Sequence, residues 1–306
     1  MSNGGRPLTR LGLAALIVTM TMAVGVRAPF AAEPIHFILI QPGSPGTTEE
    51  AAPLMKRLAD YLAAQLPDRP VVKGLYVNTL EAAQEAIARA RPRVAIVTLP
   101  YYLERRAPYD LRPVLATRPG GRSEDRYRLL IASTNPITNW RQLRGTVAGT
   151  LCHTPQAVAR MMFDTAQLPF RCQPTDRLLR AIRQVIKGEL AGVLVTEEQQ
   201  DSLTALPEGS QLRVLHETPA VPPPLVVSFG PPDGTVQMIA QALEKMKQDP
   251  AAAELLKELR TDGFDSINFR ALDELQRPIG RPDKSPGTTP DTVPGTIPGR
   301  LPKTSP

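Results

Sequence analysis

IHFILIQPGSPGTTEEAAPLMKRLADYLAAQL, residues 35–66, holds the pattern on which the fold turns. The run Ile35–Ile40 is apolar except at His36, which is the signature of a strand buried on both faces. QPGSPGTT (41–48) then breaks the chain with Pro and Gly and supplies hydroxyls. Beyond it Leu54, Leu58, Leu62 and Leu66 recur every four residues, with Lys56, Arg57 and Asp60 elsewhere on the circumference, so an amphipathic helix follows. Outward from this unit, Val71–Val77 reads as a second strand. Leu80, Ala83, Ile87 and Ala90 mark a second helix, and Val94–Val97 is a third strand. Strand, helix, strand, helix, strand predicts an α/β layer with parallel crossovers.

A second α/β unit follows Leu111–Thr117 and the polar stretch PGGRSED. YRLLIAS (127–133) and Gly145–Thr150 read as strands, with a brief helical turn at Trp140–Leu143 between them. Pro155 is placed to open a helix with Val158, Met162 and Ala166 facing inward. TDRLLRAIRQVIKGEL (175–190) reads as another, capped by Thr175 or Asp176, buried along Leu179, Ile182 and Ile186, and ended by Gly188. Leu190–Val195, Leu212–Leu215 and LVVSF (225–229) are further strands. Helices are expected at Val236–Met246, with Ile239, Leu243 and Met246 as its apolar stripe, and at Ala251–Leu259. No repeat period is present. The order suits a discontinuous design, with one lobe from 33–117 plus 220–275 and another from 118–219, although periodicity alone does not establish the return to the first lobe.

The two ends read differently. Arg6 and Arg10 precede LGLAALIVTMTMAVGV, and small residues follow at Ala28, Ala31 and Ala32. This is the pattern of an export signal over residues 1–32, and the run is short for a transmembrane span of about 20 residues. Several cleavage sites fit, and an uncleaved anchor is the alternative. After residue 275 the Pro-, Thr- and Gly-rich segment 276–306 has almost no apolar periodicity and is expected to be a disordered tail. The net charge of +6 is scattered, so it calls for no nucleic-acid partner.

The phrases IHFILIQPGSPG with its leucine-rich helix, RVAIVTLPYYLERR (93–106), YRLLIAS with WRQLRGTVAGT (140–150), IKGELAGVLVTEEQQ (186–200) and VLHETPAVPPPLVVS (214–228) cover most of residues 35–270. In order and spacing they resemble the phosphate, phosphite and phosphonate substrate-binding proteins of ABC transporters, in the type 2 periplasmic-binding-protein superfamily. The resemblance implies two lobes, each a mixed sheet flanked by helices, joined by two crossovers. It also implies a small oxyanion held in the cleft and delivered to a membrane permease, with membrane contact through that permease only. A periplasmic monomer is expected. An exported ligand sensor that signals to a membrane partner is the alternative.

Four segments can supply the ligand site. In the loop 41–48, Ser44, Thr47 and Thr48 offer hydroxyls beside a helix N-terminus, or merely cap it. Thr98 and Tyr101 follow a buried strand, where open sheets collect ligands; Tyr101 is expected to stay semi-exposed and lend its hydroxyl. Thr150, His153, Thr154 and Gln156 lie between a strand and the Pro155 helix. The resembled family commonly has a Ser-Gly-Thr-like run here and this chain does not, which weakens assignment to phosphonate in particular. Glu197 follows another strand; in the resembled family an acidic residue in this neighbourhood can take the amino group of an aminophosphonate, whereas Glu198 is assigned to simple helix-start electrostatics. Tyr127, at the head of its strand, completes the set.

Enzymatic chemistry is not expected. His36, His153 and His216 form no ligand-spaced pair, and GxSxG, HExxH and P-loop motifs are absent from the sequence, so no cofactor or metal is expected. Cys152 and Cys172 are the only cysteines. In an oxidising compartment they are expected to pair, with two buried thiols as the alternative.

Overall fold

The computed structural model describes residues 33–276; the expected export signal and nearly all of the expected tail lie outside the described residues. The first sheet is built on β1 (Ile35–Ile40), which pairs in parallel with β2 (Val72–Val77) on one side and β3 (Val94–Val97) on the other. Helices α1 (Thr48–Gln65) and α2 (Leu80–Ala90) make the crossovers, as the sequence pattern requires. The chain then runs through α3 (Leu99–Arg105) into β4 (Leu111–Thr117), which belongs to the same sheet.

The second sheet follows. Its strands are β5 (Tyr127–Ala132), β6 (Thr146–Gly149), β7 (Arg171–Pro174), β8 (Gly192–Thr196) and β9 (Leu212–Glu217), in the spatial order β7-β6-β8-β5-β9. Here β6 runs parallel to β7 and β8, while β5 is antiparallel to β8 and β9. Helices α4 (Pro155–Phe163), α5 (Leu178–Ile186) and α6 (Glu197–Thr204) connect them.

The chain then returns. β10 (Leu225–Phe229) inserts antiparallel between β3 and β4. Helices α7 (Gly234–Lys245) and α8 (Ala253–Glu258) lead to a two-residue strand β11 (Phe264–Asp265) on the outer side of β4, and α9 (Phe269–Leu275) follows. Each sheet is therefore mixed, and the chain crosses twice between them. The crossovers clasp each other where Asp125 and Val221 exchange backbone hydrogen bonds of 2.8 and 2.9 Å.

Several local expectations are corrected. The segment from Thr98, read only as following a buried strand, forms α3, because Thr98 caps the Tyr101 amide and Pro100 occupies the first turn. α5 starts at Leu178 after Arg177 and not at Thr175 or Asp176, and its buried residues are Ala181, Ile182 and Val185; Leu179 is exposed, because it faces the space between the two sheets and not the core of its own lobe. β7, β11 and α9 had no counterpart in the sequence reading.

Candidate functional site

The carboxyl ends of β1, β3, β6 and β8 point into one cavity of about 610 Å³ between the two sheets. On the first-sheet side, Gln41, Ser44 and Thr47 come from the loop after β1, and Thr98 from the end of β3. Thr150, His153 and Thr154 come from the turn after β6, and Thr196 and Gln199 from the start of α6. Tyr127 joins them from the head of β5. Of the residues picked out in the sequence, Ser44, Thr47, Thr98, Tyr127, Thr150, His153 and Thr154 share this cavity.

The two loops meet at one point. Gly43 has φ +79°, and a Cβ there would lie 2.7 Å from His153 Cδ2 and 3.3 Å from the Thr150 Cα. Glycine answers both demands, a left-handed backbone and room for the imidazole edge. His153 is half-buried by this packing, which pushes its pKa down against the opposing pull of Glu81 and Asp176.

Tyr101, Thr48, Gln156 and Glu197 do not line the cavity. Tyr101 is buried at 2% exposure because α3 turns it into the core beside Tyr102, so it is not semi-exposed. Thr48 donates its hydroxyl to the Tyr76 carbonyl at 2.9 Å. Gln156 is exposed on α4. The first turn of that helix also faces the chain's own acid: burial raises the pKa of the Glu104 carboxyl of α3, and the Ala157 amide that lies by it pulls it back down. Glu197 is surrounded by guanidinium groups, with Arg128 at 3.4 Å and Arg122 and Arg126 at 3.9 Å, so its charge is already matched. Its neighbour Glu198 is the one that lines the cavity.

Thr154 is nearly fully buried, and its hydroxyl donates to the Leu151 carbonyl at 3.2 Å. Thr47 is committed to a capping box with Glu50. Between β6 and α4 the structure inserts a single helical turn, Thr150–His153, whose opening amides have no preceding turn to bond to.

Arg122, Asp125 and Arg260 also line the cavity and went unread in the sequence, since nothing in their spacing brings a crossover and the end of α8 to one place. Arg122 pairs with Asp201 at 2.8 Å, and Arg260 reaches Glu198 at 3.8 Å across the cleft. An anion entering here meets hydroxyls, amides and cations already paired with carboxylates. Asp125 accepts hydrogen bonds from the Arg126 and Glu197 amides at 2.8 and 3.3 Å. Burial nevertheless pushes its carboxyl up to about 6, helped by the charge of Glu197.

Two mixed α/β sheets, two crossovers and a polar cleft at strand ends define a type 2 periplasmic binding fold. Residues 45–271 match the model of the family described as the periplasmic substrate-binding protein of phosphonate ABC transporters, and the chain belongs to that family. No curated protein matches the chain. Among solved structures, a Xanthomonas citri protein solved with ATP bound is similar at TM-score 0.65 and 18% identity, covering 80% of this chain and 96% of that one. The binding-protein component of a Pseudomonas aeruginosa ABC phosphonate transporter gives TM-score 0.58 at 12% identity, covering 79% and 84% of the two chains. PhnD1 of Prochlorococcus marinus, in complex with methylphosphonate, gives 0.56 at 12% identity, covering 79% and 97%. At these identities the likeness is one of fold.

Proposed function

We propose that the chain is an exported substrate-binding component that captures a phosphorus oxyanion, phosphate-like or phosphonate-like, in the cleft and presents it to a membrane permease. The observation that supports this most is the meeting of the 41–48 loop and the 150–154 turn, through Gly43 and His153, beside the cavity. Hydroxyls and amides divided between two lobes are satisfied together only when the gap is narrow, which couples binding to closure. The solved relatives hold phosphorus oxyanions of different sizes, methylphosphonate in one and ATP in another.

Calorimetry with ligand-stripped protein and a panel of phosphate, phosphite, methylphosphonate, 2-aminoethylphosphonate, sulfate and carboxylates tests the reading. Binding of at least one phosphorus oxyanion in preference to sulfate and the carboxylates is expected. Silence across the panel, or carboxylate binding alone, overturns it. The paired state of Glu197 adds that Glu197→Gln leaves any preference for an amino-bearing phosphonate unchanged.

A further inference from the structure

Among the described residues, the guanidinium groups lining the cavity are those of Arg122 and Arg260, and they are held differently. Arg122 donates to the Asp201 carboxylate at 2.8 Å, so its fork is committed. Arg260 approaches Glu198 of α6 at 3.8 Å, an ion pair without a hydrogen bond that crosses from the first lobe to the second. Its members are 72% and 48% exposed, and a loose pair of that kind is weak. Glu258, the acid two residues before Arg260, is taken by Arg57. Burial raises the pKa of Tyr76 and the charge of Arg260 pulls it back; the Tyr76 hydroxyl donates to the Pro45 carbonyl at 3.2 Å, so the guanidinium acts beside the 41–48 loop.

The backbone of Arg260 is the second observation. Six non-glycine residues among those described have positive φ, and Arg260, at +54°, is the one of the six that lines the cavity. It closes α8 as a left-handed residue, its amide bonded to the Lys257 carbonyl and the Thr261 amide to the Leu256 carbonyl, both at 3.1 Å. Glycine is the usual residue in that role. An arginine there carries a conformational cost that glycine would not, and strain of this kind gathers at ligand clamps.

We infer that Arg260 clamps the bound oxyanion, exchanging its loose pair with Glu198 for charge-assisted hydrogen bonds from its planar fork to the ligand. The inference rests on the proposed capture of a phosphorus oxyanion and names the cation that sets its grip. Glu198 is then the competitor that the ligand displaces.

Arg260→Gly separates the side chain from the backbone it strains. Without added anion its melting temperature should rise by on the order of 2 °C, because glycine relieves the positive φ. Its affinity for phosphate, phosphite, methylphosphonate or 2-aminoethylphosphonate, whichever the wild type binds most tightly by calorimetry, should fall by about tenfold or more. Loss of grip in a chain that melts higher assigns the effect to the guanidinium and not to the fold. Arg260→Lys, which keeps the charge and loses the fork, should fall between the two. Glu198→Gln should tighten binding by about two- to fivefold in the arginine background and leave Arg260→Gly unchanged. Arg260→Asn, asparagine also being at ease at positive φ, replaces the glycine variant if that one folds poorly. Affinity of Arg260→Gly within about threefold of the wild type, or an equal effect of Glu198→Gln in both backgrounds, overturns the inference and leaves the oxyanion reading standing. Silence of the wild type toward all four anions overturns both.

Discussion

Gly43 carries two constraints at once, and they can be separated. Alanine in the left-handed region costs about 1–2 kcal/mol, and its Cβ would also press on the His153 ring at 2.7 Å. Gly43→Ala should therefore lower both stability and ligand affinity. His153→Ala in the same chain should recover the part due to the clash and not the part due to the backbone; equal losses in the single and double variants would show that the imidazole is not in contact. Asp125 makes a second prediction through pH. Its native pKa is raised to about 6 from the ordinary 3.8, so between those values the folded chain holds a proton that the unfolded chain has released. Stability accordingly falls as pH rises through that window, by on the order of 2–3 kcal/mol at 1.36 kcal/mol per unit. Asp125→Asn keeps an acceptor for the two amides and removes the titration. Melting temperature measured from pH 4 to pH 7 should flatten over the window in this variant, and an unchanged slope would assign the titration to another group.

At the scale of elements, sequence pattern was a good guide where one face or both faces of an element are buried, and a poor one where tertiary context decides. Ile35–Ile40, Leu80–Ala90 and the Ile239–Leu243–Met246 stripe were legible because their burial follows period 2 or 3.6 or is continuous. β7 was not, since Arg171-Cys172-Gln173-Pro174 is a short, mostly exposed edge strand with no apolar alternation. α3 was missed for the opposite reason: its residues Leu99 to Tyr102 are all buried, so no amphipathic signal survives, and with it went the orientation of Tyr101. The loops of the site were legible as strand ends, but Arg260 reaches the cavity only through the return of the chain, and Asp125 only through the packing of the two crossovers against each other. β7 also sets the covalent prediction. It pairs Cys172 beside Val147 of β6, and Cys152 lies in the turn that follows, with Cα atoms 5.3 Å apart. A bond closing this 20-residue separation should contribute on the order of 3 kcal/mol by restricting the unfolded chain. Denatured protein prepared without reductant should show no reactive thiol, and reduction should lower the melting temperature; two free thiols in a fresh preparation would refute the bond.

The whole molecule turns on its two crossovers, and the second of them is unusually stiff. Residues 219–224 read Pro-Ala-Val-Pro-Pro-Pro, so four of six φ angles are fixed by the pyrrolidine ring. Around them the crossovers share the Asp125–Val221 backbone pair, and Pro224 accepts from both the amide and the hydroxyl of Thr117 at 2.9 and 3.0 Å. On the first crossover, Arg118 is bonded to Asp265 at 2.6 Å, and Gly121 donates to Asp262 at 2.6 Å, which ties that segment to the first sheet. Rotation of one lobe against the other is thereby confined to a few residues, and a narrow set of open states has little entropy to lose on closure. Replacing Pro222 and Pro223 by alanine keeps every hydrogen-bond acceptor and enlarges the set of open and unfolded conformations. Each replacement should cost about 0.4–1 kcal/mol of stability through the unfolded chain, plus whatever packing is lost at these buried rings. If the crossover also restricts the native open state, affinity for the best phosphonate should fall as well, with small-angle scattering showing a broader ligand-free envelope and an unchanged bound one. A loss of stability with affinity and ligand-free envelope both unchanged would confine the prolines to the unfolded state and leave closure to the loops around Gly43 and His153.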